Sequence, residues 1–462
     1  NTNISTATTT DVDTIDLGTD VNATMSRAQH AKLTAAGGTN TVTLSDAGDT
    51  DGDALVETYV LAAGAQTFTL GSGSQNVTAD SSGDSGAIVI DTNTETTVSG
   101  TFTSAGNDTI KLNVETTNTN ISTATTTDVD TIDLGTDVNA TMTVAQNAKI
   151  AAAGGTNTVT LSNSGTVIAD ALVESYVLAD GGGTTITLSA VGQNVDTGDN
   201  GADTIDVAGL TATGRFDTVS ADTIKLSTGA NITGVKGEGN NAGTALNANN
   251  LTLVKPDGGD GASVTMTAAQ NNSFSSASAA GTTDQITISD ATDAKGLDGI
   301  ETYVLAAGAQ TFTLGAADQN VTADDTGANG AIVIDTDTQT SVTGTFTSGG
   351  NDTIKLNVET NNTNISTATT TDVDTIDLAD GVDVTMTVAQ HGKLNAAAGD
   401  NTITLSNAGT ISGDTNVETY VLANGGGTTI TIGTTGQNVT TGNGADTIDV
   451  GDKAADGIFT TS

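Results

Sequence analysis

Cysteine is absent from all 462 residues, which excludes disulfides, thiol nucleophiles and thiolate metal sites. Proline occurs once, leaving no proline-rich linker anywhere in the chain. Tryptophan is missing too, so four tyrosines and seven phenylalanines are the whole aromatic complement. With only 12 Lys and Arg beside them, the groove of basic and aromatic residues that a β-helical polysaccharide lyase needs is hard to build. Against those 12 cations stand 55 Asp and Glu, a net charge of −43. Nucleic acid is thereby disfavoured as a partner, because its affinity rests on neutralising phosphates with Lys and Arg. An anionic membrane surface is disfavoured for the same reason. No apolar run approaches the ~18 residues of a membrane helix.

What the chain has instead is repetition. NTNISTATTTDVDTIDL stands at 1–17, 118–134 and 362–378, and ETYVLAAGAQTFTL at 57–70 returns unchanged at 301–314. QNV marks 75–77, 193–195, 319–321 and 437–439. Four repeats follow from this ruler: 1–117, 118–230, 231–361 and 362–462. They alternate as A, B, A, B, since the first and third share NDTIKLNVET and the second and fourth share GGGTTIT and NGADTIDV. The third has a divergent start, read as an insertion over 231–262, and the fourth is shorter than its counterpart. Because Asn1 opens inside repeat sequence, the chain is expected to be a window on a longer protein.

Strand signals recur roughly every ten residues, separated by Gly, Asn, Asp and Ser. In TVTL (41–44) Val42 and Leu44 share one face and Thr41 and Thr43 the other; QTFTL (66–70) places Phe68 and Leu70 inward in the same way. Period two of this kind makes each strand bury one face and present threonine on the other. One segment per repeat breaks the pattern. Ser26 precedes Gln29 by three residues, as Thr143 does Gln146, Thr267 does Gln270 and Thr387 does Gln390. Each is a capping-box signature before alanine-rich sequence and predicts a helix of two to three turns. The even strand spacing, small side chains and missing linkers favour a parallel β-solenoid with one short helix per repeat, the alternative being tandem β-sandwich modules.

Acidic turns carry the chemistry the sequence offers. GNGADTI (442–448) fits the core of the nonapeptide calcium repeat, in which glycines allow the tight turn and a carboxylate stands two residues before the inward apolar side chain. Reduced forms place Asp108, Asp203 and Asp352 after GN or GA, and Asp13, Asp130, Asp222 and Asp374 precede Thr-Ile without the glycine. Carboxylates and carbonyls are the oxygen ligands calcium takes, so these eight aspartates, with Asp446 and Asp203 foremost, are the candidate metal ligands and Ca²⁺ the candidate cofactor. Acidity also has a plain role in keeping a β-rich protein soluble. GTNTV, at 38–42 and 155–159, replaces the carboxylate with Asn40 and Asn157, and no tandem calcium roll is present.

Through its GxDTI turns and the MTVAQ segments at 142–146 and 386–390, the chain resembles the RTX-type and S-layer-like β-strand-repeat proteins that Gram-negative bacteria secrete to their surface. The resemblance implies an extracellular or cell-surface location, type I secretion and folding assisted by Ca²⁺.

His30 and His391 follow Ala-Gln at equivalent positions where the other repeats carry Asn147 and Asn271, and both are expected on the helix surface. Tyr59, Tyr176, Tyr303 and Tyr420 occupy one site per repeat, as do Met25, Met142, Met266 and Met386. Residues present in every copy are explained more simply by packing than by one active site, so no enzyme is expected. Thr-x-Thr pairs such as Thr41/Thr43 and Thr185/Thr187 suggest ice binding, a reading set aside because the pairs do not recur on consecutive strands in the sequence. The expected function is structural: self-assembly into a surface layer, fibre or biofilm matrix. The expected partners are further copies of the chain and cell-surface polysaccharide, with no nucleic acid and no membrane insertion. The alternative is the repeat stalk of a large adhesin.

Overall fold

A computed structural model describes residues 1–79, 87–104, 109–198, 200–237, 241–256, 260–279, 281–323, 330–348 and 353–461. The chain is all-β and 4% helical, a parallel β-solenoid of about 23 turns, as its strand periodicity predicts. Two compact bodies are distinguished. One is Asn1–Asp206 with Gly214–Asp222, the other Val207–Thr213 with Thr223–Ser462.

Within the first body, successive coils contribute one strand to each of two walls. Strands Thr2–Asn3, Asn22–Met25, Thr41–Leu44, Thr58–Val60, Asn76–Thr78 and Phe102–Thr103 form one parallel sheet. The intervening strands, from Thr50–Asp51 through Thr131–Leu134 to Ile150–Ala152, form the opposite one. Pairing is in register, so inward side chains stack rung on rung: Ala23 on Val42, Val42 on Tyr59, Tyr59 on Val77, Val77 on Phe102. Such a core is narrow and one residue deep, which is why Val, Ile, Leu and Ala suit it. The second body is built the same way, with Val264, Ile286, Tyr303, Val321 and Phe346 stacked in the matching column. The methionines and tyrosines found once per repeat all lie in this interior, at most 1% exposed.

The stretch 231–262 is more than an insertion loop. Asn250–Val254 pairs with Thr223–Ser227 on one side and with Ser276–Ala279 on the other, adding a rung to its sheet.

Helices form where the capping boxes predict them, but they are shorter. They are α1 (Arg27–His30), α2 (Val144–Asn147), α3 (Ala268–Ser273) and α4 (Val388–His391). Each begins with both reciprocal capping bonds in place. A coil has to bring the chain back to the next rung, and a helix advances only ~1.5 Å per residue, so a longer helix would take the residues needed for the following strand. The capping glutamine also acts between coils. Gln390 Nε2 donates to the carbonyls of Ile365 and Ala368, 2.7 and 3.2 Å away on the preceding coil.

Each helix interrupts one wall. The sheet stops at Leu33–Ala35 and restarts at Thr50–Asp51, and it breaks again after Ile150–Ala152, Ser276–Ala279 and Leu394–Ala396. Helix side chains bridge two of these breaks, Asn147 Nδ2 reaching Ile168 O at 3.4 Å and Asn271 Nδ2 reaching Lys295 O at 2.6 Å. Among the described residues no helix is long and apolar enough to cross a membrane.

Candidate functional site

Of the eight candidate aspartates, Asp108 and Asp352 lie outside the described residues. Five of the other six, Asp130, Asp203, Asp222, Asp374 and Asp446, stand immediately before a strand, whereas Asp13 stands two residues before one. From that position the side chain faces the coil before it. Asp203 Oδ1 accepts the Thr184 amide, Asp446 Oδ1 the Thr428 amide, Asp130 Oδ2 the Ile110 amide and Asp374 Oδ2 the Ile354 amide, all at 2.7–2.9 Å. Asp13 is exposed on the first coils.

The asparagines that seemed to spoil the calcium pattern do the same work. Asn40 Oδ1 accepts the Val21 amide, Asn157 Oδ1 that of Val138 and Asn401 Oδ1 that of Val382, each at 2.9 Å. Their Nδ2 groups donate in turn, Asn40 to Ala36 O at 2.5 Å and to Leu55 O at 3.2 Å. An oxygen is what this position requires, and a charge is incidental. The chain of acceptors then continues, because the Asn40 amide donates to Glu57 Oε2 at 2.6 Å and the Asn157 amide to Glu174 Oε2 at 2.7 Å on the following coil. Much of the acidity is therefore absorbed in satisfying backbone amides where the ladder turns a corner.

Among the described residues, Asp203 and Asp222 are a pair of predicted ligands brought close together. Asp222 is fully buried and accepts three hydrogen bonds: from the Asp203 amide at 2.9 Å, the Val219 amide at 2.7 Å and the Thr197 hydroxyl at 2.6 Å. Asp203, 2% exposed, is different. Its Oδ2 is buried without a hydrogen-bond partner, as is the neighbouring Thr184 Oγ1. Burial pushes its carboxyl above the usual range, opposed by the Thr184 amide and reinforced by Asp222. The fourth repeat duplicates the arrangement with Asp446 Oδ2 and Thr428 Oγ1. Calcium takes six to eight oxygens. Among the described residues no group of three or more His, Asp or Glu is placed to hold a metal. Among the described residues, one free carboxylate oxygen and one free hydroxyl face each of these two turns.

The histidines are not on the surface. His30 and His391 are each 7% exposed, packed beneath their helix against tyrosine. His30 Nε2 lies 3.0 Å from Tyr59 Oη and His391 Nε2 3.1 Å from Tyr420 Oη. The same phenol oxygens accept the Asp53 and Asp414 amides at 2.7 Å. A phenol oxygen that accepts the amide can still donate its own hydrogen, so a neutral imidazole accepting at Nε2 fits this geometry. Burial lowers both histidine pKa values, against the field of Asp53 and Asp51 for His30 and of Asp414 for His391. An imidazole whose lone pair is engaged this way is a core hydrogen-bonding group and no free base. Beside it a cleft of about 680 Å³ opens at the wall break, lined by Arg27, His30, Asp46, Asp49, Asp51 and Asp53. Equivalent clefts in the second and fourth repeats, about 400 and 370 Å³, are lined instead by Ile168 and by Ser412 at the position of Asp51. An aspartate recurs in all three, as Asp53, Asp170 and Asp414, while the histidine of the first and fourth is replaced by Asn147 in the second.

The most heavily used polar residues are ones the sequence marked only as a ruler. In each QNV the glutamine is at most 2% exposed. Gln75 Oε1 accepts the Gly71 amide at 2.8 Å while Nε2 donates to Asp53 O and Val56 O at 2.7 and 2.9 Å one coil back. Gln193, Gln319 and Gln437 repeat this. Lys149 and Lys393 act similarly, each ammonium gathering three carbonyls of the coil before it at 2.7–2.9 Å. Recurrence of a buried-type polar residue at one site in four copies was the available signal.

Compared with family models, curated proteins and solved structures, the chain matches none.

Proposed function

We propose that the protein is a non-enzymatic structural element of the cell exterior that self-assembles into a layer, fibre or matrix. One observation carries this reading. The side chains that could have supplied chemistry, the glutamines, asparagines, aspartates, histidines and lysines, recur from copy to copy as braces holding one coil on the next. In a solenoid built this way each coil contacts only its neighbours. Resemblance to secreted β-strand-repeat proteins supports the exterior location, and the strong negative charge suits a soluble precursor that has to reach it before assembling.

Calcium enters the proposal only at Asp203 and Asp446, whose second carboxylate oxygen has no protein partner. A cation there would draw its remaining oxygens from backbone, water or another molecule. Electron microscopy of the purified chain over a concentration series, with Ca²⁺ and after chelation, tests both parts. Ordered sheets or filaments are expected. Separate single molecules at every concentration would sink the assembly reading and leave the adhesin-stalk alternative, whereas assemblies indifferent to chelator would remove calcium alone.

A further inference from the structure

The two walls of the first, third and fourth repeats differ in charge. On the wall opposite the helix breaks, the outward positions of the first repeat stack Thr24, Thr43, Val60, Thr78 and Thr103 in one column. A companion column two residues earlier on the strands holds only Asn and Thr, with Asn22, Thr41, Thr58 and Asn76 in register. In the third repeat the first column reads Thr265, Thr287, Val304, Thr322 and Thr347, and in the fourth Thr385, Thr404, Val421, Thr440 and Thr460. No outward strand residue on this wall is charged in those three repeats. The opposite wall carries Asp91 and Lys111 in the first repeat, with an ion pair from Lys111 to Asp133 of the second, and Lys355 of the third repeat pairs with Asp377 of the fourth. In a chain of net charge −43 a charge-free array this regular is a marked departure from the rest of the surface. Although the Thr-x-Thr pairs do not recur on consecutive rungs, single threonines do, interrupted at one rung by valine. Coil lengths vary, and only the register lines them up.

We propose that this charge-free wall is the face through which two copies of the chain pack sidewise, each offering the same array to the other. The inference rests on the self-assembly reading above and names its contact surface. Like-charged molecules approach most closely where neither carries charge, and stacked identical small side chains are what two facing sheets interdigitate. Valine decides between packing and hydroxyl chemistry. Val60, Val177, Val304 and Val421 hold one rung of the column in every repeat; Val60, Val304 and Val421 lie between threonines they match in shape but not in hydrogen bonding, and Val177 lies between Thr160 and Asp196. Recognition of ice or of an uncharged polysaccharide would call for the hydroxyl there, whereas packing asks only for the shape. Some hydroxyls are already engaged within the column, Thr103 donating to Thr78 at 3.0 Å and Thr347 to Thr322 at 2.9 Å. Five strands of four residues present about 300 Å², well short of the ~800 Å² per partner of a stable pair. Association therefore depends on several arrays engaging together and is steeply concentration-dependent. The second repeat, with Asp196 and Asp217 on its last two rungs, is the weakest contributor.

The test uses the full chain in two matched quadruple variants. One carries Thr43→Glu, Thr160→Glu, Thr287→Glu and Thr404→Glu on the charge-free wall. The other carries Thr67→Glu, Thr185→Glu, Thr311→Glu and Thr429→Glu on the opposite wall, adding the same four charges. Circular dichroism and thermal melting establish that both fold, and sedimentation velocity with electron microscopy reads assembly. The first set is expected to raise the concentration needed for assembly at least tenfold, the second less than threefold. A third set, with valine at the first four positions, should assemble like the parent. Equal effects of the two glutamate sets, or loss of assembly in the valine set, overturn the proposed face while leaving self-assembly standing. A parent chain that never assembles defeats both. A parent that instead slows ice recrystallisation or sediments with insoluble polysaccharide, in a manner the valine set abolishes, replaces the second copy with that ligand.

Discussion

Replacing Gln319 with leucine tests whether the QNV glutamine is the main polar brace of the coil. The side chain is fully buried. Its Oε1 accepts the Gly315 and Ala316 amides at 2.8 and 3.2 Å, and its Nε2 donates to Leu297 O and Ile300 O at 2.8 and 3.0 Å. Leucine keeps the volume and removes all four bonds. Gly315 and Ala316 sit on an accessible turn where water can replace the lost acceptor. Leu297 O retains the Ile300 amide at 3.2 Å, so the main loss falls on Ile300 O, which belongs to a residue 1% exposed. A buried group left unsatisfied costs about 1–3 kcal/mol, and with the weakened Leu297 bond the total is about 2–4 kcal/mol. Repeat arrays open locally, so amide hydrogen exchange across Asn320–Ala323 is the appropriate assay. At ~1.4 kcal/mol per tenfold, protection there should fall by about 30-fold to 700-fold. Gln319→Glu sharpens the reasoning, because it keeps the acceptor and aims a carboxylate at two carbonyls. Its folded pKa must lie above the unfolded ~4.3. The penalty is thus small below that pH and grows as pH rises through the folded value. A leucine variant that exchanges within threefold of the parent would refute the assignment.

Asp203→Asn should be nearly neutral to stability, since Asn40 fills the same role, while Asp203→Ala should cost about 1–3 kcal/mol by orphaning the Thr184 amide; equal losses in denaturant midpoints would restore a special need for the carboxylate. His30 and His391 have folded pKa values below 6.5, so the unfolded chain binds more protons as pH falls past 6.5 and the folded state loses stability there. The double variant His30→Asn, His391→Asn, which borrows the residue of the other two repeats, should flatten that part of the melting-temperature profile; an unchanged slope between pH 7 and 5 counts against buried neutral imidazoles. Gly344→Ala puts a Cβ 1.9 Å from Gln319 O and should destabilise by at least ~2 kcal/mol, whereas Gly37→Ala meets nothing within 4 Å and should stabilise by up to ~1 kcal/mol. Thermal melts of the two alanine variants that coincide would contradict the packing at that corner.

Legibility in the sequence followed the range of the interaction. Period-two alternation in TVTL and QTFTL reports which face of a strand is buried, and the structure keeps Val42, Leu44 and Phe68 inside. Capping boxes are local as well, so all four helix starts were readable, while helix lengths were not, being limited by the coil that follows. The aspartates before Thr-Ile were legible as a position, but their bonds to the preceding coil were not. A carboxylate and an amide oxygen serve equally there, which only the contact with the preceding coil's N–H makes plain. Histidine burial failed for the same reason, since the tyrosine that covers it stands 29 residues away.

By itself the sequence determined a copied, all-β chain with threonine on one face of its strands, glycine at its corners and a helical start in each repeat. All of these are consequences of local backbone preference and the alternation of a pleated strand. Tertiary structure alone decided which residues meet across coils. The bracing bonds span 17 residues in some places and 25 in others, so no fixed period in the chain reveals them. That register turned scattered threonines into columns, moved histidine into the core and committed acidic residues to amides. It did so because a solenoid satisfies its backbone between coils, where partners are chosen by stacking in space.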